Sequence, residues 1–262
     1  MRMFIFGLGY SAKVIAGRLA REGWTVRASG RDGDVDFADA GAVRSALENA
    51  DAVLSSVPPL REGGDPVLMA YGDELDAFGG WTGYLSSTGV YGDAGGAWVD
   101  ESTPTGSGRR SARSDADALW LERGARVFRL PGIYGPGRSA LDRVREGRAH
   151  RIDIPGQVFS RVHVGDIAQG VVRGLGAPAG AYNLSDDYPC SQNELIEHAC
   201  RVLGAPVPPM QSIEEANLSP MARGFYAENR RVASGKARRV LGWAPDYPTY
   251  REGLAACLEA ED

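Results

Sequence analysis

The most definite chemistry in this sequence lies in six residues near its start, Gly7-Leu8-Gly9-Tyr10-Ser11-Ala12. They read G-x-G-x-x-A, directly after the apolar run Met3–Phe6 and directly before Ala12, Ile15, Ala16 and Leu19 at helical spacing. A first glycine permits a tight turn, a second lets backbone N–H groups approach a pyrophosphate, and a small third residue lets helix and strand pack closely. The pattern in this setting predicts a dinucleotide site touched by Gly7, Gly9, Tyr10, Ser11 and Ala12. An acid that holds an NAD ribose is expected roughly 20 residues past the last glycine. That stretch holds Ser29-Gly30-Arg31, with no carboxylate until Asp32. A guanidinium there suits a 2′-phosphate, so NADP is expected ahead of NAD; the alternative for Arg31 is a solvated turn residue.

Other reactive residue types form weaker patterns. His163 stands inside the block Arg161-Val162-His163-Val164-Gly165-Asp166, where packing or hydrogen bonding is the expected role and a proton relay the alternative. His150 and His198 have no acidic or cysteine companions at ligand spacing and read as surface residues. The arginines 138, 143, 145, 148 and 151 form a solvated face, or else a receiver for a phosphorylated or nucleotide substrate. Neither a G-x-S-x-G elbow nor a Walker phosphate loop occurs. Cys190, Cys200 and Cys257 are odd in number and lack metal-like spacing, so no metal site is expected and a reducing cytoplasm is the expected compartment.

The elements that must carry these residues follow from periodicity. Met3–Phe6, Trp24–Ser29, Ala52–Val57 and Gly83–Ser86 read as strands, and Ala12–Gly23, Ala42–Leu47 and Leu68–Phe78 as helices. Further on come a helix near Ser114–Arg123, a strand at Arg126–Leu130, a helix at Asp166–Gly174 and a strand at Ala181–Leu184. Ser191 and Glu194 read as a capping box, and Gly235–Leu241 and Tyr250–Leu258 as helices. Repeated β-α alternation predicts an α/β protein, a Rossmann-type doubly wound parallel sheet with a small C-terminal α+β substrate-binding region. The expected core is 1–135 with 160–184 returning to it, and 136–159 plus 185–262 form the substrate side. Only a short link joins Ser29 to Asp36-Phe37, so the adenine side of the pocket is expected to be open. With 34 acidic and 29 basic residues, net charge −5, nucleic acid and anionic membrane are unsuitable partners and a small molecule is expected. No run approaches a membrane span, the N-terminal apolar run stops at Gly7, and monomer and homodimer both stay open.

Several later stretches, in this order, resemble the extended short-chain dehydrogenase/reductase superfamily, the NAD-dependent epimerase/dehydratase group. Ser86-Ser87-Thr88-Gly89-Val90-Tyr91-Gly92 resembles its S-S-x-x-V-Y-G strand end, and Val99-Asp100-Glu101 with Pro104 its V-x-E-x-x-P loop. Arg129 to Gly137 is similar to the R-x-x-x-V-Y-G-P-G segment, Arg161 to Ala168 to R-x-x-H-V-x-D-x-A, and Tyr182-Asn183-Leu184 to Y-N-V. The resemblance implies that Ser87 hydrogen-bonds a substrate oxygen and that Asp36 and Phe37 sit beside the adenine. It further implies that Pro131 and Ile133 lie by the nicotinamide and that Arg161 and Asp166 close the substrate side and brace the loop; Glu101, Arg138 and His163 are expected on the substrate side as well.

One departure bears on the chemistry. The superfamily's acid/base is the tyrosine of Y-x-x-x-K, whose lysine lowers the phenol's pKa and orients the ribose. Of the 29 basic residues only Lys13 and Lys236 are lysines, and neither has a tyrosine four residues earlier. Counting back from Asp117, Arg113 stands where the lysine would be and Arg109 where the tyrosine would be. Arg113 can still orient a ribose; Arg109 cannot donate a proton at neutral pH. The chain looks most like the atypical branch of the superfamily. That implies an NAD(P)-dependent epimerase, dehydratase or reductase acting on a small molecule, with sugar and nucleotide derivatives among the candidates; the alternative is a dinucleotide-binding sensor without turnover.

Overall fold

The computed structural model describes residues 1–107 and 111–260, without the side chain of Met221. In chain order the elements are β1 (Arg2–Phe6), α1 (Tyr10–Arg21), β2 (Thr25–Ala28), α2 (Ala40–Glu48), β3 (Ala52–Ser55), α3 (Pro66–Asp76) and β4 (Trp81–Ser87). A 3₁₀ turn (Thr88–Tyr91), β5 (Trp98–Val99), α4 (Ser111–Glu122), β6 (Arg126–Leu130), β7 (Gly132–Tyr134), α5 (Ala140–Arg145) and β8 (Arg151–Ile152) follow. The remainder holds β9 (Arg161–His163), α6 (Val164–Gly174), β10 (Gly180–Asn183), α7 (Gln192–Leu203), β11 (Met210–Gln211), α8 (Pro220–Tyr226), β12 (Arg231–Val232), α9 (Gly235–Leu241) and α10 (Tyr250–Glu259).

Six strands form one all-parallel sheet in the order β10-β6-β4-β3-β1-β2. Alternate residues of β1 feed two cores. Met3 and Ile5 join Ile15 and Leu19 of α1 and Ile167 and Val171 of α6; Phe4 and Phe6 join Val43 of α2, Val67 of α3 and Trp120 of α4. Burying each such side chain contributes about 1.5–3 kcal/mol. That is why β1 is apolar from Met3 to Phe6 rather than alternating. The chain steps from β1 outward to β2 and then back across to β3, and at such a reversal the carboxyl ends of the strands leave a crevice. The Gly7 loop opens into it.

Side-chain caps explain where the helices run longer than periodicity predicts. Asp39 accepts from Ala42 N and starts α2 at Ala40; Asp65 accepts from Val67 N and Leu68 N, with Pro66 in the first turn, and starts α3 at Pro66. The strand expected to reach Val57 ends at Ser55, although Ser56 N still donates to Phe6 O (2.9 Å). The expected capping box at α7 is half made. Ser191 accepts from Glu194 N, but the Glu194 carboxylate turns to Tyr250 and Arg251 instead.

A further apolar cluster joins Leu141 of α5, Ile196 and Ala199 of α7, and Tyr250 and Leu254 of α10. Two-residue parallel pairings, β8 with β11 and β5 with β12, tie the C-terminal segments to the rest. Among the described residues no helix is long and apolar enough to cross a membrane.

Candidate active site

Gly7 takes φ +83°, and a Cβ there would lie 2.9 Å from Val57 Cγ2, so only glycine fits this turn. Three contacts fix the loop. Gly7 N donates to Ser29 Oγ (3.3 Å), Leu8 N to Ser29 O (2.9 Å), and Ser56 Oγ to Gly7 O. Beyond them α1 begins with Gly9 at its N-cap, where an added Cβ would meet nothing within 4 Å. No side chain caps α1 and no acid stands in its first turn. By contrast Asp39, Ser139, His163, Ser191 and Thr249 cap their own helices. The first N–H groups of α1, with the positive end of the helix dipole, can therefore receive an anion. Tyr10 and Ser11 are half-buried beside them, and Ala12 is buried under the loop.

The adenine side is open, a hollow of about 450 Å³ lined by Gly30, Arg31, Asp34, Val35, Asp36 and Phe37. Its nearest carboxylates are spoken for. Asp32 pairs with Lys13 (2.5 Å), and Asp34 pairs with Arg27 (2.7 Å) and accepts from Ala28 N. Arg31 is exposed and, among the described residues, makes no ion pair. Asp36 accepts from Ala38 N, and the Phe37 ring lies edge-on to Phe6 and Tyr71. These features fit the adenosine end of a nicotinamide dinucleotide.

Ser87 ends β4, its Oγ accepting from Gly89 N (3.1 Å). A buried chain of polar groups supports this strand end. Ser86 Oγ donates to Asp117 Oδ1 (2.5 Å), and Arg129 grips the same carboxylate through Nε (3.1 and 3.2 Å) and Nη2 (2.6 Å). Arg129 Nη1 donates to Tyr91 OH, Tyr91 OH to Asn183 Oδ1, and Asn183 N to Glu101 Oε1 (2.7 Å). Glu101 thus braces the end of β10. Arg113 Nη1 donates to Tyr84 OH (2.9 Å), a buried phenol that desolvation pushes up to about 12. Arg109 and Arg110 lie outside the described residues.

The remaining candidates sit around β7 and β9. Pro131 is half-buried, and Ile133 belongs to β7, paired with Val162. Arg161 directs its nitrogens inward, to Phe159 O, Cys190 O and Sγ, Ser191 O and Gln192 Oε1. His163 caps α6, Nδ1 accepting from Gly165 N (3.2 Å), and burial pulls its pKa down to about 4. The imidazole therefore stays neutral through the ordinary pH range. Arg138 is exposed with its guanidinium 5.5 Å above the Tyr10 ring, and Tyr10 OH donates to Pro136 O (3.1 Å).

The sequence reading passed over two groups. Asp186 is 3% exposed with neither carboxylate oxygen in a well-formed hydrogen bond among the described residues, and burial pushes it up to about 7 against the pull of Arg161 and nearby backbone groups. Arg230 lies beside the turn after Ser87: a Cβ built on Gly89 would be 3.3 Å from Ser87 Oγ and 4.0 Å from Arg230 Nη2. The adjacent pair Arg230-Arg231 before a short β-run was the signal available.

The topology and the motifs together define an extended short-chain dehydrogenase/reductase fold without the superfamily's Tyr-x-x-x-Lys pair. The structure of a functionally unknown conserved protein from Silicibacter pomeroyi DSS matches with TM-score 0.88 and 39% identity, covering 99% of this chain and 98% of that one. The chain belongs to one family with that protein. A human epimerase family protein solved with NADPH matches with TM-score 0.76 and 17% identity over 99% of each chain, which is a likeness of fold; others of this fold were solved with NAD. A 3-diazoavenalumate denitrifying reductase from a Streptomyces species is 32% identical over 140 residues, 49% of this chain and 45% of that protein, so the match spans under half of the reductase. No protein-family profile matches the chain.

Proposed function

We propose that this protein is a nicotinamide-dinucleotide-dependent enzyme of the reductase or epimerase kind, preferring NADP, that acts on a small carbonyl or hydroxyl compound. The observation that carries the reading is the uncapped N-terminus of α1 behind Gly7 and Gly9, next to the hollow where Arg31 makes no ion pair among the described residues. The reductase and epimerase relatives, one solved with NADPH, support the same class.

The bound dinucleotide would supply hydride chemistry. The chain's own part is to hold the pyrophosphate on the α1 N–H groups and the 2′-phosphate on Arg31, with Pro131 and Ile133 walling the nicotinamide end. Ser87 Oγ accepts from Gly89 N, which leaves its proton free to donate to a substrate oxygen. The substrate side is assigned to 136–159 and 185–262.

Titration calorimetry with NADPH and NADH tests the proposal. Micromolar or tighter NADPH binding is expected, and Arg31→Ala should weaken NADPH about tenfold or more while leaving NADH unchanged. Equal losses for both cofactors would remove the 2′-phosphate assignment, and no binding of either would end the reading. A second reading, a dinucleotide-binding sensor without turnover, draws on one observation: Arg113, in the lysine's place, is hydrogen-bonded to Tyr84. Tight NADPH binding without any 340 nm change across sugars, aldehydes and ketones would favour it.

A further inference from the structure

Among the described residues, Arg230 is a cation at the chemical end of the crevice whose donors are only partly used. Arg230 precedes β12, and its side chain is 16% exposed. Nη1 donates to Gly92 O (2.6 Å) and Glu228 Oε2 (2.8 Å), which fixes the plane of the guanidinium. Among the described residues, Nε and Nη2 donate to nothing. A guanidinium carries five N–H donors in a fixed fork, so two contacts through one nitrogen leave a whole edge available. On that edge, Nη2 lies near the Ser87 turn. A Cβ on Gly89 would lie 3.3 Å from Ser87 Oγ and 4.0 Å from Arg230 Nη2, so hydroxyl and guanidinium are at most the sum of those distances apart. With hydrogen bonds of about 2.8 Å at each end, two oxygens on neighbouring atoms of one small molecule bridge such a gap. Arg161 is less available, because Phe159, Cys190, Ser191 and Gln192 take both of its terminal nitrogens.

We propose that Arg230 is the anion-binding residue of this site: its free edge takes a carboxylate or phosphate oxygen of the substrate while Ser87 Oγ holds the adjacent carbonyl or hydroxyl oxygen. The inference rests on the role given to Ser87 above and narrows the substrate class to compact oxo or hydroxy compounds bearing an anionic group a few bonds away. Gly89 acquires a reason as well: it takes no positive φ, so its lack of a side chain matters for the space between the two groups rather than for the backbone.

Calorimetry of the full chain, with and without saturating NADPH, compares pyruvate, dihydroxyacetone phosphate and neutral hydroxyacetone. Pyruvate or dihydroxyacetone phosphate should bind at least tenfold more tightly than hydroxyacetone, and whichever of the two binds better identifies the anion. Arg230→Gln should bring the charged probes down to the neutral one's affinity. Gly89→Ala leaves both functional groups in place but fills the space between them, so it should weaken all three while NADPH affinity stays within twofold. Arg230→Gln removes the ion pair to Glu228 and can unfold the chain; Gly89→Ala then still decides the matter. Equal binding of charged and neutral probes, no binding of any, or full binding by Gly89→Ala would overturn the proposal. Failure of NADPH to bind would sink the cofactor reading instead, and the charged-to-neutral contrast on the cofactor-free protein would still judge Arg230.

Discussion

Replacing Asp117 by asparagine removes the one formal charge opposite a guanidinium that is 3% exposed. Arg129 spends Nε and Nη2 on Asp117, and its remaining side-chain contact is the Tyr91 hydroxyl. Breaking a buried pair from one side costs about 3–5 kcal/mol, because the surviving charge is left desolvated without a counter-ion. Asparagine keeps one acceptor oxygen, so the lower end, about 3 kcal/mol, is the expected loss. For a chain of this size each kcal/mol moves Tm by about 2–4 °C, giving a fall of about 6–12 °C. Urea unfolding followed by tryptophan fluorescence, with calorimetric Tm alongside, reads both quantities. The companion variant Asp117→Leu/Arg129→Met replaces the pair with apolar groups of similar volume and should recover most of the loss, short of about 1 kcal/mol for the hydroxyls of Ser86 and Tyr91. A single variant within 1 kcal/mol of the parent, or a double variant no better than the single, would refute the buried-charge account.

Asp186 gives a pH signature. Its folded value of about 7 stands above the ordinary 3.8, so the folded chain keeps a proton that the unfolded chain releases, and stability falls as pH rises from about 4 to 7. Asp186→Asn should gain on the parent across that window, by up to about 4 kcal/mol at neutral pH, and urea melts that stay parallel at every pH would dismiss it. Gly7→Ala forces a side chain into positive φ against Val57; it should lose about 1–2 kcal/mol of stability and at least tenfold in NADPH affinity, and unchanged calorimetry would argue against the loop's role. Ser87→Ala should leave NADPH affinity within twofold and cut turnover of a carbonyl substrate by about a hundredfold; retained activity would take the serine out of the chemistry.

The fold was legible because its strands are short, β1 and β3 are buried on both faces, and helices with clear spacing separate them. Met3–Phe6 can only be buried twice over, and the glycine loop behind it has few other uses. Helix starts were missed at Ala40 and Pro66 because aspartate caps extend a helix beyond its apolar stripe. The two-residue strands β5, β8, β11 and β12 leave no periodicity to read and exist through tertiary pairing alone. At the site, motif matching reached Ser87, Glu101 and Arg161 by position, but position does not say which way a side chain turns. Glu101 and Arg161 turn inward to backbone groups, while Arg230, 143 residues beyond Ser87 by their numbers, comes beside it through the pairing of β12 with β5.

Tyr10 belongs to the cofactor loop yet touches the far side of the crevice: its hydroxyl reaches Pro136 O, its ring lies under Arg138, and a Cβ on Gly135 would meet it at 2.6 Å. One aromatic side chain is thus a shared wall between the dinucleotide end and the segment that leads into α5. Whatever a dinucleotide does to the free energy of that wall, a second ligand leaning on the 135–138 segment must feel in equal measure, since coupling between two binding equilibria is reciprocal. Under the proposed function Tyr10 would couple a dinucleotide to a second ligand, and that coupling would favour neither order of entry.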